Sequence, residues 1–317
     1  MKLSKGFIFT LLAAISWTLS IVGTRVILRA GENPYNLGFW TTILALPYWL
    51  FVLLRHTPEV KKLKRHDMSL LLASGLIGSA GITFVEIFAL KYSPAINYSF
   101  LIRTVIVFTI LFAYIFLKEK ITRKKFVLAC MILGGAYLLT TNGVLIRLSR
   151  GDLFTLLEAA LIAFGNNVLG KALTNRMSSD VSSSGRFVVG LFPVIIYSTI
   201  NTTVQLPHMF PLILFLTLMS ILIYVFLFKA YKVASASYVT MIMSFTPVFV
   251  SFLAVPILKE SLSAIQIIGG ILMKLHGLKP VVSMLMQAEL DRSLAFLDTE
   301  CTLESSVHHS LLCSHSI

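Results

Sequence analysis

The chain has 317 residues, 56% of them hydrophobic and 13% charged, and more apolar surface than a soluble domain of that length can bury. A mean hydropathy of +0.85 excludes a water-soluble enzyme or binding module and indicates a multi-pass membrane protein. The formal charge of +13 raises a polyanionic partner as a question, and the placement of the charges answers it.

In chain order, apolar runs of about 20 residues, enough to cross a ~30 Å hydrocarbon core as helix, are read at 7–28, 36–54, 69–90, 95–117, 126–146, 153–173, 187–206, 210–230 and 234–258. A tenth starts at Leu262 and breaks at Lys274. The first run is expected to be a true span: it is too apolar for too long, and no small-x-small cleavage site follows it. Small residues in span 3 (Ala73, Gly75, Gly78, Ala80, Gly81), span 5 (Gly134, Gly135) and span 10 (Gly269, Gly270) let helices approach closely.

With the N-terminus in the cytoplasm, 17 of the 27 Lys and Arg fall on that side. They run from Lys2 and Lys5 through Arg55, the Lys61–Arg65 and Lys118–Lys125 clusters, and Lys171, Arg176, Arg186, Lys229 and Lys232. Six lie outside (Arg25, Arg29, Lys91, Arg147, Arg150, Lys259), Arg103 lies within a span and three lie in the tail. This is the positive-inside distribution. The basic excess reports topology in a cell membrane, with lipid as the partner and no nucleic acid. Cys130, Cys301 and Cys313 show neither a pairing pattern nor metal-ligand spacing. His308, His309, His315 and Cys313, which could suggest a metal site, sit in a polar serine-rich terminus without ligand spacing, so no metal is expected, nor any cofactor or catalytic residue. The sequons at Asn97 and Asn201 are taken as chance.

The chain repeats itself. Gly6, Phe9-Thr10-Leu11-Leu12 and Ala14 return as Gly151, Phe154-Thr155-Leu156-Leu157 and Ala159, and Leu117-Lys118-Glu119 returns as Leu258-Lys259-Glu260. Five spans is an odd number, so the second copy enters the membrane upside down. The Glu119 corner carries Lys118, Lys120, Arg123, Lys124 and Lys125, whereas its counterpart continues Ser-Leu-Ser-Ala, without the basic cluster. The expected fold is therefore an all-α bundle of ten spans from two inverted five-helix repeats, the tenth helix truncated. The boundaries are 1–146, 147–273 and an atypical polar, disordered tail at 274–317. Such pseudo-symmetric halves build sites that face either side of a bilayer.

With Ala13-Ala14-Ile15-Ser16-Trp17 in span 1, and Ser244-Phe245-Thr246-Pro247-Val248-Phe249-Val250 followed by Leu258-Lys259-Glu260 in span 9, the chain resembles the EamA-type branch of the drug/metabolite transporter superfamily. The resemblance covers residues 1 to about 273, although Ile106 stands in span 4 where span 9 has Pro247. It implies an integral membrane carrier for small metabolites, drugs or amino acids, often directed outward.

Ionisable groups inside the bilayer cost about 2.5–3.5 kcal/mol each to insert and so mark candidate function. Glu86 and Arg103 sit on consecutive antiparallel spans, and Glu158 enters span 6 from the same outer face. One reading of Glu86 and Arg103 is a structural ion pair. The other has Arg103 anchoring an anionic group of the solute while Glu86 or Glu158 binds its cation or a coupling proton. Glu158 has a further alternative, snorkelling to the interface. Asn166 and Asn167 are deep amides, suited to helix–helix hydrogen bonds or to lining a cavity. Trp17 lies mid-span, away from the interfacial belt, and Tyr98 and Tyr224 are further candidates for the same path. Pro247 is expected to kink span 9, and Glu119 and Glu260 to be structural corners.

No phosphate-cradling loop, His-Glu-x-x-His or Gly-x-Ser-x-Gly motif is present, which disfavours an ATP-driven pump and an intramembrane enzyme. The leading expectation is a secondary exporter of small solutes by alternating access. The alternative is a transport-inactive or truncated member, because span 10 turns abruptly into Lys274-Leu275-His276, as after a frameshift or replacement. A homodimer remains open.

Overall fold

The computed structural model describes residues 4–92, 98, 100–141, 143–145, 149–246, 248–250, 253, 264–265 and 268. Among these residues every regular element is helical. The expected kink at Pro247, the Glu260 corner, the break in span 10, the tail and Asn97 all lie outside the described residues.

Helices α1 (Lys5–Arg29) and α2 (Pro34–Arg55) open the bundle. Asn33 caps α2 by accepting from the Tyr35 N–H at 2.8 Å, and Pro34 fills the first helical position, where a missing N–H costs nothing. A single turn, α3 (Thr57–Val60), precedes a continuous rod made of α4 (Arg65–Gly75), a π-helical segment at Leu76–Gly81, and α5 (Ile82–Tyr92). A 3₁₀ turn at Ile102–Thr104 leads into α6 (Val105–Leu117), and α7 (Arg123–Thr141) completes the first copy. The second copy begins with another rod of the same design: α8 (Arg150–Leu161), a π segment at Ile162–Val168, and α9 (Leu169–Arg176). Helices α10 (Ser179–Asn201), α11 (Phe210–Val233) and α12 (Ala236–Met243) follow. Six helical stretches, including both rods, are long and apolar enough to cross a membrane, and the stretches at Ile102–Leu117 and from Ala236 are shorter.

Packing follows the small residues and aromatics. Helix α1 lies along α11, with Ala13 and Ala14 against Leu227, Ala230 and Tyr231. Helix α2 lies along α10, where Trp49 stacks on Phe187 with ring centroids 4.8 Å apart. The two rods cross at Gly78 and Gly165. A Cβ on Gly165 would stand 2.6 Å from the Gly78 Cα, so only glycine permits this approach. The large apolar side chains left exposed, among them Phe51, Leu54, Leu153 and Ile200, form a surface suited to lipid.

Two carboxylates tie the ends of the bundle. After α6 the chain turns through Lys118, at φ 56°, which delivers Glu119 to the N-terminus of α12. Its side chain accepts from Ala236 N–H at 2.8 Å and Ser237 Oγ at 2.6 Å, with Lys125 Nζ at 3.4 Å. A carboxylate there meets the free N–H groups and positive end of the helix. Glu59 holds the start of α10 in a similar way, accepting from the N–H and Oγ of Ser178 at 2.7 Å each.

Two expected boundaries move. Span 5 was placed at 126–146, but α7 stops at Thr141 and the chain turns at Gly143, with φ +76°. Span 7 was placed from 187, but α10 begins at Ser179, eight residues earlier. Ser182, Ser183 and Ser184 return their hydroxyls to carbonyls one turn back and are buried, so a polar-looking run is helix interior. Arg186, assigned above to the cytoplasmic surface, is consequently inside the bundle and fully buried.

Candidate functional site

The candidate site has an outer and an inner part. Outward here means the bundle end that the charge distribution assigns to the outside.

The outer part is built where α5 packs along α8 and the 3₁₀ turn before α6 packs on α8. Glu86 is six residues from the end of α5 at Tyr92, and Glu158 eight from the start of α8 at Arg150, about 9 and 12 Å along their helices at 1.5 Å per residue. The Tyr98 hydroxyl donates to Glu158 Oε1 at 3.0 Å. Glu158 Oε2 is buried without a hydrogen-bond partner. Glu86 lies within electrostatic reach of both Tyr98 and Glu158, and Arg103 within reach of Tyr98. Four expected site residues, Glu86, Tyr98, Arg103 and Glu158, thus share one neighbourhood. Glu158 is 2% exposed because protein covers it, which removes the snorkelling alternative.

The inner part centres on the π segment of the second rod. A π turn widens the helix and redirects successive side chains, and here Asn166 and Asn167 part company. Asn167 Nδ2 donates to Thr109 Oγ1 at 2.8 Å, and Asn167 Oδ1 accepts from Tyr231 Oη at 2.6 Å, joining the rod to α6 and α11. Lys171 Nζ, one turn further, donates to the Tyr231 carbonyl at 2.5 Å. Asn166 Oδ1 instead accepts from Arg186 Nη2, which also donates to the Gly78 carbonyl in the π segment of the first rod. Ser74 Oγ adds a bond to the Gly165 carbonyl at 3.3 Å. The guanidinium of Arg186 is ringed by Phe187, Tyr224 and Phe228, its Cζ lying 5.2–5.7 Å from their centroids.

Trp17 borders the inner part through apolar packing. It is half-buried against the apolar cluster of Ala13, Ala14, Leu227 and Tyr231, where it packs. Tyr224 stands beside Arg186 and 4.4 Å from the Phe187 ring, centroid to centroid. Reading the sequence missed Arg186, Tyr231, Thr109 and Lys171. For Arg186 a signal existed: Ser178 is an N-cap, accepting from the Val181 N–H at 3.2 Å, with Asp180 in the first turn behind it.

Comparison with known proteins bears on the whole chain. A family model described as the EamA-like transporter family matches twice, over residues 4–141 and 149–275. An uncharacterized transporter of Methanothermobacter thermautotrophicus is 27% identical over 292 residues, covering 84% of this chain and 83% of that protein. One of Archaeoglobus fulgidus, also an uncharacterized transporter, is 25% identical over 284 residues, covering 85% and 94%. A solved structure superposes with a TM-score of 0.73 at 16% identity over 90% of this chain and 99% of its own, a likeness of fold alone. The chain is a multi-pass membrane protein that belongs to the EamA-like transporter family, carrying its domain twice.

Proposed function

We propose that the chain is a secondary transporter that moves small, amino-acid-like organic solutes out of the cell by alternating access, without chemical change to the solute. The observation that carries this reading is the outer cluster. Two carboxylates from different spans, Glu86 and Glu158, are held within electrostatic reach of each other beside Tyr98 and Arg103. Placing such groups in a bilayer protein costs about 2.5–3.5 kcal/mol each on insertion scales, a cost retained where solute or ion must pass. A carboxylate pair suits a solute ammonium or a coupling proton, and Arg103 suits an opposing anionic group. The outward direction rests on the family alone.

The test is flux of a solute panel in proteoliposomes, with and without a pH gradient, for the wild type, Glu86→Gln and Arg103→Ala. Gradient-dependent flux in the wild type, slowed at least tenfold in both variants, is expected. Flux unchanged in both variants overturns the site, and an inert wild type overturns the transport reading.

A further inference from the structure

Arg186 is a cation for which the described residues supply no anion. Its guanidinium is fully buried, eight residues past the N-cap of α10 and about 12 Å along the helix at 1.5 Å per residue. Both hydrogen bonds it makes are from Nη2 and both go to neutral acceptors, the Gly78 carbonyl and Asn166 Oδ1. Nε and Nη1 are buried without a hydrogen-bond partner. Among the described residues no carboxylate forms an ion pair with it, and its other neighbours are neutral: the rings of Phe187, Tyr224 and Phe228, with the Tyr224 and Tyr231 hydroxyls within electrostatic reach. A buried arginine is ordinarily matched by a carboxylate or phosphate, because desolvating an unmatched charge is costly. Here three neutral rings and two neutral acceptors hold it in place with donor capacity to spare.

We infer that Arg186 is a second, inner recognition site, beyond the outer one at Arg103, for a carboxylate group on the transported solute, deepening the transport reading above by naming the solute as a small carboxylic acid. A carboxylate accepts two parallel hydrogen bonds along one edge of a guanidinium. Either edge that includes Nη2 also uses Nε or Nη1, the two donors now without partners. Occupying such an edge displaces the Gly78 carbonyl or Asn166 Oδ1 from Nη2. Those two acceptors belong to the two π segments, which touch at Gly78 and Gly165. Carboxylate binding therefore replaces the link between the rods, and the same event that recognises the solute frees the crossing to part. The charge requirement is also selective: a carboxamide offers one acceptor and two donors, and donors meet only donors on the guanidinium.

The full-length protein in detergent is titrated with small amino, hydroxy and keto monocarboxylic acids and with the carboxamide of each, reading melting temperature. Emission from Trp49, stacked on Phe187, is read in a variant whose Trp17 and Trp40 are replaced by Phe. At least one acid is expected to raise the melting temperature and change Trp49 emission while its amide does neither. Arg186→Gln weakens that acid at least tenfold, and Arg176→Gln, on the exposed surface, leaves it unchanged. Amides equal to acids, no response to any acid, or an effect reproduced by chloride alone overturns the inference. The wild-type contrast of acid with amide decides even if Arg186→Gln does not fold. Flux in proteoliposomes without preference for acids keeps the transport reading and removes this one; acid-selective binding without flux does the reverse.

Discussion

Replacing Gly165 by alanine tests how the two rods are joined. The added Cβ would stand 2.6 Å from Gly78 Cα and 2.8 Å from Gly78 N, against an ordinary contact of about 3.5–4.0 Å between carbons. Both atoms are backbone, so no side chain can swing aside, and the rods must separate by about 1 Å. Overpacking of this kind costs about 1–3 kcal/mol. Separation also stretches the Ser74 Oγ bond to the Gly165 carbonyl, already 3.3 Å, and pulls Gly78 from Arg186, a further loss of about 1 kcal/mol. Against this, alanine is favoured over glycine in a helix by about 1 kcal/mol. The net expectation is a loss of about 1–3 kcal/mol, read as a lower apparent melting temperature in detergent. Gly38→Ala is the control: it lies within α2 and a Cβ there meets nothing within 4 Å, so the propensity gain stands alone and melting rises. Gly165→Ala melting at or above the wild-type temperature would refute the glycine crossing.

Glu119→Ala removes the N-terminal cap of α12 and the Lys125 partner together, and should cost about 2–3 kcal/mol, given the worth of hydrogen bonds to charged groups. Glu119→Gln, which keeps an acceptor oxygen, should recover about half of that in the same melting assay. Tyr98→Phe leaves Glu158 without its donor and is expected to lower stability by about 1–3 kcal/mol, the cost of an unsatisfied buried acceptor, and to slow flux with it. Tyr231→Phe strips Asn167 of one of its two bonds and should cost about 1–2 kcal/mol in thermal melting.

The membrane class, the doubled domain and the shared outer depth of Glu86, Arg103 and Glu158 were legible because they depend on distance along the chain, whereas the place of Tyr98 beside Glu158 followed from the fold. Consecutive spans run antiparallel, so residues equally far from a shared turn sit at similar depth. Arg186 was hidden for a local reason: Ser182, Ser183, Ser184 and Gly185 depress any hydropathy window, while in the helix the hydroxyls bond to backbone and the glycine seats Leu71. The Gly78–Gly165 crossing was hidden for a topological one. It joins spans that are not neighbours in sequence, and glycine is too common in membrane helices to announce which partner it meets. The π segments leave no apolar periodicity to read. Glu119 was expected as a structural corner, but which helix end it would serve, α12, 117 residues away, followed only from the fold.

The candidate site depends on two copies of one domain lying in opposite senses across the membrane. Single cysteines at Lys5 and Arg150, the starts of α1 and α8, in a background lacking Cys130, Cys301 and Cys313, can be probed with a membrane-impermeant maleimide. Intact cells should label position 150 and leave position 5 unlabelled until the membrane is permeabilised. Labelling of both positions from the same side would contradict the inverted repeat, and with it the site built between its halves.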